Sequence, residues 1–160
     1  MIPKINILPE KKLVGKRITM TLLQNKTFEL WQSFMPFRNQ ITNAVGSDKF
    51  SMQVYAPDFD FNQFTPQTIF EKWAAIEVSD FLAIPENMEP YVLKGGLYAV
   101  FNYKGKPENG SEAFHYIFKE WLPNSIYEVD KREHFEILGD KYIRDNEDSE
   151  EEIWVPIKLK

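Results

Sequence analysis

Cysteine is absent from the 160 residues. Its absence excludes a disulfide framework, a thiolate nucleophile and Cys-ligated zinc. Histidine is nearly absent too: His115 and His134 are the only two, and neither stands in a Ser-His-Asp or Cys-His spacing that would make it a catalytic base or the nucleus of a metal site. Glycine is sparse, and the adjacent pair Gly95-Gly96 lacks the GxGxxG or GxxxxGK pattern that aims backbone N–H groups at phosphates, so no nucleotide cofactor is expected. No apolar run approaches the roughly 18 residues of a membrane span, and the opening MIPKINILPEKKL has no signal-peptide core. About ten residues precede the first strand-like segment, too few for a helix-turn-helix. The expectation is one domain over residues 1–160, without a DNA-binding domain, cofactor, metal or membrane partner, at home in a reducing cytoplasm.

What is present suits a globular chain with one core: 43% of residues are hydrophobic and 15% aromatic. The formal charge of −5 is local, because residues 145–152 hold six acidic groups and no basic one, and without them the chain carries +1. Such a block reads as a solvated loop, with its last member, Glu152, as the exception. The six Lys and Arg of residues 1–26 are scattered along a strand-like segment rather than interleaved with aromatics, so no nucleic-acid partner is expected.

Strand character marks residues 13–23, 50–56, 73–78, 97–103 and 153–159; the second is an alternating FSMQVYA run. Helical spacing marks Phe28, Trp31, Phe34 and Met35 before Pro36, and Phe114, Ile117, Phe118 and Trp121 before Pro123; Phe28, Trp31, Phe34, Phe114 and Phe118 read as core, while Trp121 stays open between core and pocket wall. Gly95-Gly96 is the candidate hinge between two halves, about 11–82 and 95–160, each ordered strand, helix, strand, strand. An offset of 81 residues pairs Glu71 with Glu152, Trp73 with Trp154, Ile76 with Ile157 and Val78 with Leu159. Two such units predict an α+β fold: duplicated β-α-β-β units in a mainly antiparallel sheet, helices on one face, a ligand groove between the halves. Alternation sends Ile153, Val155, Ile157 and Leu159 towards the helices and Glu152, Trp154, Pro156 and Lys158 away from them. Glu71 and Trp73 share the second face, which leaves Lys72 on the helix side, at a strand end where its stem snorkels.

The second half resembles the GyrI-like, or AraC-type effector-binding, family. The matching pieces are LYAVFNYKG from Leu97, WLPNSIYEV from Trp121, HFEIL from His134 and SEEEIWVPIKL from Ser149, the last being the most specific. The resemblance covers residues 95–160 well and the first half more loosely. It implies a ligand-binding domain of the kind found in multidrug-responsive transcription regulators and in free-standing proteins, with Glu152 in a central pocket facing lipophilic cations or acting on substrates. It carries Trp154, Trp121 and Tyr127 over as pocket walls. Where relatives show Phe-Glu-x-Tyr this chain has Phe135-Glu136-Ile137-Leu138, and Tyr142 is a candidate replacement for the missing hydroxyl.

A carboxylate among indoles attracts a cation over distance and adds cation–π attraction of about 0.5–2 kcal/mol per ring. Burial that raises a carboxyl pKa also suits a general base near neutral pH. Three functions therefore stay open. One is a free-standing small-molecule binding protein for lipophilic, cationic compounds, linked to drug sensing or transcription regulation, using Glu152, Trp154, Trp121, Tyr127, Glu71 and Trp73. The second is a hydrolase of cyclopropane-bearing electrophiles, with Glu152 as general base. The third, implied by the gyrase-modulating member that gives the family its name, is a modulator that contacts a protein partner.

Overall fold

The computed structural model describes residues Met1–Lys160. Its strands are β1 (Lys4–Leu8), β2 (Lys11–Met20), β3 (Ala44–Val54), β4 (Phe70–Val78), β5 (Glu89–Leu93), β6 (Gly96–Lys104), β7 (Tyr127–Val129), β8 (His134–Leu138) and β9 (Glu150–Leu159). Helix α1 (Thr27–Phe34) runs into a 3₁₀ turn (Met35–Gln40) where Pro36 removes a backbone donor. Helix α2 (Ser111–Tyr116) continues through a π turn (Ile117–Trp121) and a last turn (Leu122–Asn124). No helix is long and apolar enough to cross a membrane.

The strands form one antiparallel sheet in the order β1-β6-β9-β8-β3-β4-β2-β5, with β7 paired to the far end of β9. Its centre shows the duplication in hydrogen-bond register. Trp73 of β4 lies opposite Met52 of β3, and Trp154 of β9 lies opposite Phe135 of β8. Met52 and Phe135 are in turn opposite each other where β3 meets β8. A pseudo-twofold axis therefore passes between them and relates β2-β4-β3 to β6-β9-β8. At the two edges the halves exchange strands: β1 leads into β2 but pairs with β6, while β5 leads into β6 but pairs with β2.

The exchange requires the sheet to curl, because Pro9 and Glu10 alone must join its two ends. The inner face of the curl is consequently a single cluster drawn from both halves and both edges, including Leu8, Leu13, Met52, Leu93, Phe135 and the two tryptophans. On the outer face each half carries its own helix. Leu30 and Phe34 of α1 cover Val14, Ala74, Ile76 and Val78. Ala113 of α2, Ile117 of the π turn and Leu122 cover Ala99, Phe101, Ile153, Val155 and Ile157.

Several expectations change. The last strand begins at Glu150, so the end of the acidic block is strand rather than loop. Phe28 is not core: it is 50% exposed, because the inward positions of α1 are Leu30 and Phe34, one turn apart. Lys72 does not snorkel; it is 4% exposed. The face opposite the helices is not free, since curling packs its side chains against one another. Lys94 and Gly95 make the turn between β5 and β6, which starts at Gly96, and Gly95 has φ +83°, where an added Cβ would sit 2.2 Å from the Leu8 carbonyl oxygen.

Gly95→Ala is expected to lower the melting temperature by about 5 °C or more, because the clash adds to a left-handed backbone cost of roughly 1–2 kcal/mol. Gly46, at φ +76° with no atom within 4 Å of an added Cβ, bears only the backbone cost. Gly46→Ala should shift the melt by no more than half as much, and equal shifts would show that the Leu8 loop yields.

Candidate functional site

The six residues singled out by sequence fall on opposite faces of the sheet. Glu71, Trp73, Glu152 and Trp154 share the inner face, as alternation requires. Trp73 (3% exposed) and Trp154 (9% exposed) belong to the packed cluster there. Trp154 stacks on Phe135 at 5.2 Å and meets Tyr98 edge-on at 5.7 Å. Its Nε1–H donates to Glu152 Oε1 at 3.2 Å. The equivalent pair in the first half is broken apart, because Arg17 binds Glu71 and also Glu89 at 2.9 Å. Trp73 Nε1 is left buried without an acceptor. Beside Trp154, but not Trp73, lies an open groove of about 570 Å³, lined by Ile5, Ile7, Leu8, Lys11, Ile137 and Trp154.

Trp121 and Tyr127 lie on the outer face. Trp121 sets its edge against Phe101 at 5.2 Å and stacks on Tyr127 at 6.3 Å. It also lines a hollow of about 340 Å³ with Tyr116, Glu120, Asn124 and Ser125. The fold does not bring these two aromatics into one groove with Glu152.

The outer face holds a second arrangement that the sequence reading missed, on the strip of sheet between the two helix-covered patches. Lys72, Gln53 and His134 stand in one cross-strand row, and Ser51 and Glu136 in the next. Lys72 Nζ is 3.5 Å from Glu136 Oε1. Gln53 Nε2 donates to both Glu136 oxygens, at 3.0 and 3.2 Å. Gln53 and Glu136 are equivalent positions of the two halves, so this bond crosses the pseudo-twofold axis. Two residues along β9 from the position opposite Glu136 stands Glu151, which lies opposite Tyr103 of β6 and makes no ion pair. Burial, then the nearby Glu136 charge, raise the Glu151 carboxyl to about 7, against a smaller opposing pull from Lys72.

Aromatic side chains cover one end of this strip. Tyr55 packs against Phe61, Phe64, Phe70 and His134. Phe61 stacks on His134 at 4.6 Å and reaches Phe118 in the π turn that follows α2 at 4.9 Å. Burial pushes the His134 imidazole down to about 3, so it is a neutral wall at physiological pH, and burial pushes the Tyr55 phenol up. From the other end the β8–β9 loop sends the Arg144 guanidinium over Phe28 of α1 at 4.3 Å. The β3–β4 and β8–β9 loops are equivalents, and each crosses to the helix of the other half. Tyr142, the candidate for the hydroxyl missing at Leu138, is half-buried on the second loop, and burial and then Glu151 raise its phenol.

The floor thus carries one ammonium and two carboxylates. Lys72 and Glu136 cancel, and Glu151 leaves a single negative charge once ionised. The sequence did hold a signal: Lys72 breaks the apolar alternation of EKWAAIEV, and a lysine on a buried face needs a carboxylate partner.

Lys72→Met should cost about 3 kcal/mol in urea unfolding at pH 7.5, because it leaves a buried carboxylate without its counter-charge. Adding Glu136→Gln should recover more than half of that; no recovery would show that the ammonium stabilises something else. Glu151 supplies a test by pH. Its folded pKa lies above the unfolded value of about 4.3, so the folded state binds the extra proton between those pH values and stability from this group is lost as pH rises through 7. Glu151→Gln should therefore be more stable than wild type at pH 8, an advantage that disappears near pH 4.

A family model described as a GyrI-like small molecule binding domain matches residues 1–158. Among solved structures, SAV2435 bound to tetraphenylphosphonium superposes with a TM-score of 0.73 at 18% identity, covering 99% of this chain and 94% of that one. The EcmrR C-terminal domain gives 0.70 at 15% identity over 100% of both chains. A hydrolase encoded by lin2189 from Listeria innocua gives 0.62 at 11%, covering 98% and 92%. At these identities the likeness is one of fold. No curated protein matches the chain.

Proposed function

This chain belongs to the GyrI-like small molecule binding family, and from that premise we propose that it captures lipophilic, cationic compounds in the cleft between its two helices. The observation that carries the reading is Glu151: a half-buried carboxylate without an ion-pair partner, beside a Lys72–Glu136 pair that is already neutral. A cation placed there gains attraction in a medium less polarisable than water, and the flanking Tyr55, Tyr103 and Tyr142 rings add cation–π attraction of about 0.5–2 kcal/mol apiece. The tetraphenylphosphonium on SAV2435 is a ligand of the same charge and apolar character. Entry requires the two crossing loops to part, since Phe61 and Arg144 rest on the helices that flank the cleft.

Glu152 is the competing carboxylate, one residue away and on the other face. The two assignments separate cleanly by titrating wild type, Glu151→Gln and Glu152→Gln with a lipophilic cation and a neutral isostere. Glu151→Gln should weaken the cation by roughly tenfold or more, as expected for loss of a close unscreened charge, and leave the isostere within twofold. Glu152→Gln should leave both within twofold; the reverse pattern would place the site on the inner face. Wild-type affinity for the cation should rise between pH 6 and 8 as Glu151 ionises.

A hydrolytic role is favoured by the same feature, because a carboxyl raised to about 7 is matched to general-base work near neutral pH. Product formation from a cyclopropane-bearing electrophile that vanishes in Glu151→Gln would establish it. Binding without turnover would leave the protein a receptor.

A further inference from the structure

The two strands that end the sheet, β1 and β5, each have one side paired and one side free. The free edges differ in kind. β5 carries Pro90 within the strand and an exposed Glu89 at its start, the two usual ways of blunting an edge. β1 has no proline between Lys4 and Leu8, and its Ile5 and Ile7 are 40% and 79% exposed. Its outward polar groups follow from the partner strand. The Leu97 carbonyl accepts from Arg132 Nη2, which also donates to the Ile157 carbonyl of β9, so Leu97 turns its polar backbone towards β9 and away from β1. Ile7 lies opposite Leu97, and in an antiparallel pair a residue opposite one that turns away also turns away. Ile7 and, two residues back, Ile5 therefore direct N–H and C=O to the free side. Pro3 and Pro9 continue that alternation and have no N–H to satisfy.

We infer that β1 is the interface of a twofold dimer, in which two copies of the chain pair β1 with β1, antiparallel about Asn6, and the sheet runs from one copy into the next. In this register Ile5 of each copy meets Ile7 of the other, and each such pair exchanges two backbone hydrogen bonds. Both isoleucines lie on the helix-bearing face, opposite Ala99 and Leu97, so the β-branched side chains also meet across the junction. Pro3 faces Pro9 of the second copy, and neither leaves a donor unpaired. A shift of two residues either way sets Ile7 against Pro3 or Ile5 against Pro9 and forfeits bonds. The charges agree with the register: Lys4 lies opposite Leu8 and diagonal to Glu10 of the second copy, and no like charges oppose each other. The blunted β5 edge offers no second junction, so the assembly closes at two. A contact built on five residues per chain falls short of the roughly 1,600 Å² of a standard interface, so the dimer is a weak one.

The test is sedimentation of the full chain from about 10 to 500 µM, a span suited to a weak contact. The weight-average mass of wild type should climb from one chain towards two and stop there. Ile7→Pro gives β1 the interruption that β5 already has; it should weaken association by roughly tenfold or more while the melting temperature stays within about 2 °C, because the lost N–H is not part of the β1–β6 ladder. The absence of cysteine allows a second, register-specific measurement. Asn6 meets itself on the twofold axis at a Cα spacing of about 4.5 Å, within disulfide reach, so Asn6→Cys should oxidise to a covalent dimer. Lys4→Cys should not, since the two Lys4 positions lie at opposite ends of the junction. Should Ile7→Pro fail to fold, the cysteine variants decide. A mass of one chain throughout overturns the inference, as does a dimer that Ile7→Pro leaves intact. Cross-linking of Lys4→Cys as readily as Asn6→Cys overturns the register and the inference with it.

Discussion

The antiparallel pairing of β3 with β8 is the constraint on which the rest of the molecule depends. It is where the two β-α-β-β units meet, and it is the only place where two strands from the sequence-central part of each unit touch. Once Met52 faces Phe135, both tryptophans are fixed on the inner face, and Gln53 and Glu136 are brought into contact on the outer one. The same junction holds the helices apart. Each helix packs on its own unit, so the sheet between them stays uncovered by any helix and is roofed instead by loops. A cleft between the halves thus follows from the way the halves are joined.

The buried strip along this cleft is a compromise between packing and chemistry. Ser51 and Ala74 are small where a core strand would carry Val or Ile, and Lys72, Gln53 and Glu136 occupy positions where apolar residues would stabilise more. The Glu136 carboxylate is met by the Lys72 ammonium and the Gln53 amide. What remains uncompensated is Gln53 Oε1 on one side of the ion pair and Glu151 on the other. Unfinished pairing in an otherwise satisfied network is where a folded protein has affinity to spare.

Much of the architecture was legible because it is periodic. Alternation in EIWVPIKL and EKWAAIEV placed Trp73, Trp154, Glu71 and Glu152 on their correct face, and the 81-residue offset reappears in the hydrogen-bond register. The cleft was not legible, because its polar residues come from β3, β4, β8 and β9, and no local pattern says that positions so far apart adjoin. Glu151 and Glu152 differ by a single step along one strand, so the motif drew attention to the carboxylate on the inner face. Lys72 was visible as an irregularity, yet its meaning depended on Glu136, 64 residues away in the chain. Trp121 shows the opposite case: helical spacing described its packing on Phe101 well but could not say which face of the sheet it served.

The exchange of β1 and β5 between the halves bears on how such a protein can be taken apart. Cut between β4 and β5, neither fragment owns a complete edge: the first would expose the side of β2 that β5 covers, and the second the side of β6 that β1 covers. Each fragment also lacks the loop that lies against its helix. Two separately made halves would therefore act as complementary pieces of a split protein, each a template for the other, and the ancestor of the duplicated chain is most simply pictured as a pair of identical subunits that had already traded arms.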